Sequence, residues 1–155
     1  MKVQIREGVE GDIPSLLKLV HELAVYEKAP NEVEVSHEQM KQWGFGKEAL
    51  FKFFVAELNE EVVGIALYYY KYSTWKGKCI FLEDIIVTES QRKKNIGSKL
   101  FERVAQVAKQ EGVKRLEWQV LDWNTPAIAF YKKYKSNFDG AWLNCKLDYV
   151  QIQSM

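Results

Sequence analysis

Apolar positions recur at different spacings along the chain, and each spacing predicts an element. Val3 to Arg6 alternates apolar and polar residues, as a short strand does. Leu16, Leu17, Leu19, Val20, Leu23 and Ala24 then repeat at helical spacing, which predicts an amphipathic helix over Ile13 to Tyr26. Gly11-Asp12 offers its N-cap and Pro14 suits its first turn. Lys28 to Val35 is polar, contains Pro30 and reads as a loop. Ser36 caps a short second helix with Gln39 as its capping-box partner, and Gly44-Phe45-Gly46 ends it. Phe51 to Leu58, Val62 to Tyr72 and Cys79 to Val87 read as strands, separated by turns at Asn59-Glu60-Glu61 and Lys76-Gly77-Lys78. They form an antiparallel meander. Helical spacing resumes with Ile96, Leu100, Phe101, Val104 and Ala108 and stops at Gly112. A strand over Leu116 to Leu121, a short helix over Pro126 to Tyr134, and two closing strands around Phe138 and over Trp142 to Val150 complete the pattern. The expected architecture is one α/β domain over residues 1–155, a mixed, mostly antiparallel sheet flanked by helices, in the order β-α-α-β-β-β-α-β-α-β-β.

Composition narrows the function classes. Apolar residues make up 47% and charged residues 28%, with a formal net charge of +1. That balance gives no global pull toward nucleic acid or an acidic surface. No apolar run approaches the roughly 20 residues of a membrane span. The first residues lack a signal-peptide apolar region. Two cysteines, Cys79 and Cys145, are too few for a disulfide framework and fit a reducing, cytoplasmic compartment. His21 and His37 are the only histidines, so neither a His-rich metal site nor a His-activated nucleophile is expected.

The chemistry-bearing stretch is Leu82-Glu83-Asp84-Ile85-Ile86-Val87, followed by Gln91-Arg92-Lys93-Lys94-Asn95-Ile96-Gly97-Ser98. A buried strand enters a polar loop and a helix begins. Such a junction aims backbone N–H groups and the positive end of a helix at one point, which suits phosphate. Arg92, Lys93 and Lys94 add charge, and Gly97 permits close approach. An ordinary strand-to-helix turn with a solvated basic face has the same composition. Downstream, Asn124 is a good N-cap and Pro126 suits a first helical turn. Tyr131 on that helix is either a packed aromatic or a functional phenol.

Gln-Arg-x-x-Gly-x-Gly/Ala between a strand and a helix resembles the pyrophosphate loop of the GNAT acetyltransferase superfamily. Gln91 to Gly97 matches it with Asn95 where the first glycine is usual. Asn tolerates positive φ better than most residues. Asp122-Trp123-Asn124-Thr125-Pro126-Ala127-Ile128-Ala129-Phe130-Tyr131 resembles the segment after the family's fifth strand, with Lys135 where a glycine is common. Within that superfamily the chain resembles the diamine (spermidine/spermine) and thialysine acetyltransferase branch. Glu22 to Glu27, Gly44-Phe45-Gly46, Val55-Ala56-Glu57, Ala66 to Tyr70, Trp75 to Lys78 and Leu82-Glu83-Asp84 carry that likeness. An insertion usual between the second and third strands is missing.

The resemblance implies an N-acetyltransferase that moves an acetyl group from acetyl-coenzyme A to the primary amine of a small cationic acceptor, a polyamine or a lysine-like amino acid such as thialysine. It implies a cofactor held by the backbone of Ile85, Ile86 and Val87, by Arg92, Lys93, Lys94, Asn95, Ile96, Gly97 and Ser98, and by Asn124, Ala127 and Tyr131. An alkyl ammonium with a pKa near ~10.4 is almost wholly charged at neutral pH. Glu83 is the candidate to remove its proton through water, and Tyr131 the candidate to protonate the leaving thiolate. Amides near Ile85 to Val87 would polarise the carbonyl. Tyr26, Glu27, Trp75, Glu83, Asp84 and Trp142 are candidates for the acceptor site. Adjacent residues on a regular strand face opposite sides, so at most one of Glu83 and Asp84 is expected at a given pocket wall. Trp75 and Trp142 fit a channel wall, a dimer seam or a core equally well. The branch implies a homodimer, while the histidine count, the charge balance and the absence of a long apolar run lead to no metal, nucleic acid or membrane being expected as partner. The alternatives are transfer to another small amine and a coenzyme A-binding module without catalysis.

Overall fold

The computed structural model describes residues 2–155. The chain divides into two compact units, one up to Gln119 and one from Val120 to Met155.

The first unit is built on a five-stranded sheet whose strands lie in chain order, β1-β2-β3-β4-β5. These are β1 (Gln4–Glu7), β2 (Lys52–Leu58), β3 (Glu61–Ser73), β4 (Gly77–Val87) and β5 (Leu116–Trp118). The first four pair antiparallel through short turns. β5 returns parallel to β4 after the crossover helix α3 (Ile96–Gln110). The expected meander and crossover are therefore present.

Helices α1 (Ile13–Tyr26) and α2 (His37–Phe45) cover one face of the sheet. Ile13, Leu16, Leu17 and Leu19 of α1 and Met40 of α2 meet Phe53, Val55, Ile65, Leu67 and Ile86 in one buried cluster. Helix α3 covers the other face with its apolar stripe of Ile96, Leu100, Phe101, Val104 and Ala108. Gly64 lets the helix approach the sheet closely there. A Cβ at that position would lie 3.0 Å from the Ile86 carbonyl oxygen and 3.1 Å from Leu100 Cδ1. The 3.6 and 2.0 periods read from the sequence thus converge on a single layered core.

Local chemistry explains the boundaries. Ser36 caps α2 by accepting from the Gln39 amide at 3.2 Å, and the Gln39 side chain accepts from the Ser36 amide at 3.0 Å. Asp12 behaves differently from expectation. It sits at the α1 N-cap but makes no side-chain cap there. Its carboxylate is claimed by Arg6 of β1 in a bidentate pair at 2.7 and 3.0 Å and by the Val9 amide at 2.8 Å. Arg6 also reaches Glu57 of β2 at 2.7 Å. A bidentate pair with a guanidinium carries charge on both partners, whereas a cap carries it on one, so the aspartate ties helix to sheet instead. The same pairing holds the Asp12 carboxyl below the usual range.

In the second unit, α4 (Thr125–Lys132) starts on Asn124, whose side chain accepts from the Ala127 amide at 3.4 Å. The strand expected over Leu116 to Leu121 stops at Trp118. The two closing strands expected around Phe138 and over Trp142 to Val150 are absent. Residues 138–148 have no regular structure, and α5 (Tyr149–Gln153) takes the place of the last strand. A strand needs a partner for its backbone groups and a face to bury. Here Trp142 and Leu143 remain 73% and 87% exposed. A capping box overrides the β-prone alternation of Tyr149 to Ile152. Asp148 accepts from the Gln151 amide at 2.8 Å and Gln151 accepts from the Asp148 amide at 2.9 Å.

Candidate active site

A single extra residue in β4 organises the site. Tyr68 pairs with Leu82 and Leu67 pairs with Asp84, so Glu83 has no partner on β3 and forms a β-bulge. Below it, Phe81 shares the α1 face with Tyr69, while Leu82 shares the α3 face with Tyr68. Above it, Asp84 and Ile86 share the α1 face with Leu67 and Ile65. The alternation therefore slips by one, and Glu83 and Asp84 both turn to the α1 side. The expectation that only one of them could reach a given wall fails for this reason.

The electrostatics agree with that placement. Asp84 is pushed up from 3.8 to about 7, first by burial and then by the carboxylates of Glu83 and Glu27. Glu27, just past the end of α1, is also raised by burial. The Tyr69 phenol is raised by burial and by its neighbour Glu83. Three carboxylates share this half-buried place. Such a group accepts a cation and holds a proton near neutrality. Tyr69 gave no separate signal in the sequence beyond its even spacing from Leu67, because its nearness to Glu83 depends on the bulge.

The bulge also sets the backbone. The Thr88 amide donates to the Val63 carbonyl at 2.8 Å, so alternation turns the N–H groups of Ile85 and Val87 toward the β5 side. β5 pairs with β4 only at Ile80, Phe81 and Leu82, and the stretch from Glu83 to Val87 lies beyond that pairing. Ile86 turns the other way, with its side chain in the core under α1. The strand edge thus offers two amides close to three carboxylates.

Beyond Val87 a 3₁₀ turn, Glu89–Gln91, leads to the α3 N-terminus. Asn95 is its N-cap with φ 63° and makes no side-chain cap, which leaves the first amides of α3 without an intrahelical partner. Lys93 is also left-handed at φ 62°. Arg92 Nε donates to the Val87 carbonyl at 2.9 Å. Lys93, Lys94 and Asn95 are exposed, whereas Ile96 is buried in the core and anchors the helix. A Cβ on Gly97 would meet only Val87 Cγ2, at 3.9 Å. The protein's own packing does not require glycine there, so the space beside it is left for something else. A diphosphate fits this cradle of amides and cations.

Sequence-nominated residues are only partly brought together. Tyr26, Glu27, Glu83, Asp84, Ile85, Val87 and the Arg92–Ser98 loop all lie in the first unit around the upper end of β4. Trp75 lies in the β3–β4 turn, 79% exposed and roughly 20 Å down the strand from Glu83. Asn124, Ala127, Tyr131 and Trp142 belong to the second unit. Tyr131 is buried and Trp142 is exposed.

Residues 16–135 match the acetyltransferase (GNAT) family. The chain belongs to the GNAT acetyltransferase family. It is an N-acetyltransferase by that membership and by its relatives. It is 44% identical over 138 residues to the bovine (Bos taurus) thialysine N-epsilon-acetyltransferase, covering 84% of this chain and 81% of that protein. It is 39% identical to the mouse (Mus musculus) protein of the same name over 137 residues, covering 83% and 81%. The human (Homo sapiens) spermidine/spermine N(1)-acetyltransferase-like protein 1 is 33% identical over 135 residues, covering 83% of this chain and 19% of that longer protein. In fold, the chain is similar to an aminoglycoside acetyltransferase from an uncultured soil metagenomic sample, with a TM-score of 0.78 at 19% identity over 94% of this chain and 97% of that one. The family match ends at Lys135, just before the segment where the expected closing strands are missing.

Proposed function

We propose that this GNAT acetyltransferase transfers acetyl from acetyl-coenzyme A to the primary amine of a small cationic acceptor, a polyamine or diamine or a lysine-like amino acid such as thialysine. The observation that carries this reading is the bulge at Glu83. It gathers Glu83, Asp84 and Glu27 beside the edge amides of Ile85 and Val87. Carboxylates kept together at a cost suit a ligand that arrives with positive charge. The names of the curated relatives point to the same acceptor class.

When bound, acetyl-coenzyme A supplies an activated acetyl thioester. Asn95, Ile96, Gly97 and Ser98 would hold its diphosphate through backbone amides, with Arg92, Lys93 and Lys94 supplying charge. Ile85 and Val87 amides would accept the charge that develops on the carbonyl oxygen. Glu27 and Asp84 hold the ammonium, and Glu83 takes its proton, directly or through water. Asn124 and Ala127 would order α4 along the cofactor, and the Tyr131 phenol would return a proton to the leaving thiolate. On this reading residues 1–155 work as one acetyltransferase domain.

Thiol release from acetyl-coenzyme A, measured with putrescine, spermidine, lysine and thialysine against glycine and glutamate, tests the proposal. Cationic acceptors should turn over far faster. Equal rates for glycine and glutamate would defeat it. Tyr131→Phe should lower kcat by about 10²–10⁴ with little change in coenzyme A affinity. A drop below about threefold would make Tyr131 a packing residue.

The exposed apolar residues Trp142, Leu143 and Leu147 support a homodimer seam, and light scattering should find twice the 18.1 kDa chain mass. No described helix is long and apolar enough to cross a membrane. An exposed free thiol at Cys145 supports a cytoplasmic location.

A further inference from the structure

Glu22 has no part in the chemistry described above, yet its carboxylate meets Thr88, Glu89 and Arg92 in the turn that precedes α3. The 3₁₀ turn Glu89–Gln91 begins on Thr88, whose side chain does not cap it. Thr88 Oγ1 instead donates to the Glu22 carboxylate of α1, at 3.0 and 3.2 Å. The Glu89 amide, the first free donor of the turn, also donates to Glu22 Oε1, at 2.9 Å. A carboxylate from a distant helix thus supplies the missing cap.

The other end of the turn is held by the same residue. Arg92 Nη2 lies 3.6 Å from Glu22 Oε1, while Arg92 Nε is on the Val87 carbonyl. The Arg92 guanidinium sits 5.2 Å from the centroid of the Tyr26 ring. Glu22 and Tyr26 are four residues apart on α1, one turn of one face. That face grips the loop twice, through a carboxylate and through an aromatic ring. The loop needs outside support. Lys93 and Asn95 both hold positive φ without being glycine, a conformation that persists only where surroundings enforce it.

We propose that Glu22 is a positioning residue that fastens the Thr88–Arg92 turn to α1, fixing the height at which the Asn95–Ser98 amides meet a diphosphate. The inference rests on the reading of that loop as the coenzyme A site. It also ties the two substrates together, since the helix turn that holds the loop ends in Tyr26 and Glu27 on the amine side.

The sign of the effect separates positioning from plain electrostatics. Removing a negative charge near an anion site strengthens anion binding if charge is all that matters. Loss of the fastening weakens it. Coenzyme A affinity, measured by calorimetry on the full chain, should fall about tenfold in Glu22→Ala, the worth of a charge-assisted hydrogen bond. Glu22→Gln keeps an acceptor for Thr88 and Glu89 and should stay within about threefold of the parent. Glu22→Ala and Arg92→Ala should fall short of adding, because they remove two ends of one contact. Amide exchange at Glu89 should quicken in Glu22→Ala, and by a smaller factor in Thr88→Val. Unchanged or tighter coenzyme A binding in Glu22→Ala would overturn the proposal, as would full additivity with Arg92→Ala. If the parent chain itself fails to bind coenzyme A, the reading of the loop falls. Exchange at Glu89 then decides the fastening alone, and unchanged protection in Glu22→Ala overturns it.

Discussion

Strand β4 handles charge in opposite ways at two points along its upper half. At Glu83 and Asp84 it collects carboxylates on the α1 face, with Glu27 beside them, and burial lifts Asp84 to about 7. At Ile85 and Val87 it presents amides, and the loop beyond adds the start of α3 and Arg92. The acidic place is held together against repulsion, and the basic place is held together by contacts from α1. The carboxylates and the amides stand this close because the bulge sends side chains to one face and amides to the edge. The separation is geometric, not a matter of distance along the chain.

The largest expected effect tests the anion side. Gly97→Val should abolish coenzyme A binding, by about a hundredfold or more, because its side chain enters the space beside the loop. The protein itself has room for a Cβ there, with only Val87 Cγ2 at 3.9 Å, so the fold should survive. Calorimetry with an unaltered circular dichroism spectrum checks both halves. Unchanged affinity would move the anion site elsewhere.

Asp84→Asn tests the cation side. As pH rises through about 7, Asp84 becomes a carboxylate and attracts a cationic acceptor. Acceptor KM in the parent should therefore fall as pH rises from 6 to 8, by about tenfold for each unit below that pKa. The profile should flatten in Asp84→Asn, apart from the acceptor's own titration. Stability runs the opposite way. The folded chain holds this proton more tightly than the unfolded chain, whose value is near 3.8. The group's stabilising contribution is complete below that value and is lost as pH rises through about 7. Above pH 7, Asp84→Asn should be more stable than the parent by at most about 4 kcal/mol. Denaturant melts at pH 5 and pH 8 would show it, and equal gains at both would detach the effect from ionisation.

The smallest effect concerns the turn between the two places. Asn95 at φ 63° is a residue type that tolerates this conformation. Asn95→Ala should cost about 1 kcal/mol in stability and weaken coenzyme A binding a few-fold, while Asn95→Gly should do neither. Parallel melts and titrations separate them. A harmless alanine would show that the loop relaxes without positive φ.

Much of the first unit was legible in the sequence because its signals are local. The α1 and α3 stripes, the Ser36–Gln39 box and the strand–loop–helix junction at Gln91 to Gly97 each depend on neighbours a few residues apart. The resemblance to diamine and thialysine acetyltransferases rested on other short segments, such as Glu22 to Glu27 and Leu82-Glu83-Asp84. The closing strands misled because β-prone alternation says nothing about whether a partner strand is available, and at Tyr149 a local capping box competed with it and won.

Three decisions belong to tertiary structure alone. Asp12 left its cap for Arg6 because β1 brings a guanidinium within 2.7 Å. Glu22 came to hold the Thr88–Arg92 turn because α1 packs beside Thr88, across 66 residues of chain. Glu83 and Asp84 came to share a face because β3 and β4 pair one residue out of step. The sequence by itself determined which residues carry charge, which carry hydroxyls and which periods they follow. The fold alone determined which of those groups meet, because register, bulges and long-range ion pairs arise from contacts between segments that no local pattern records.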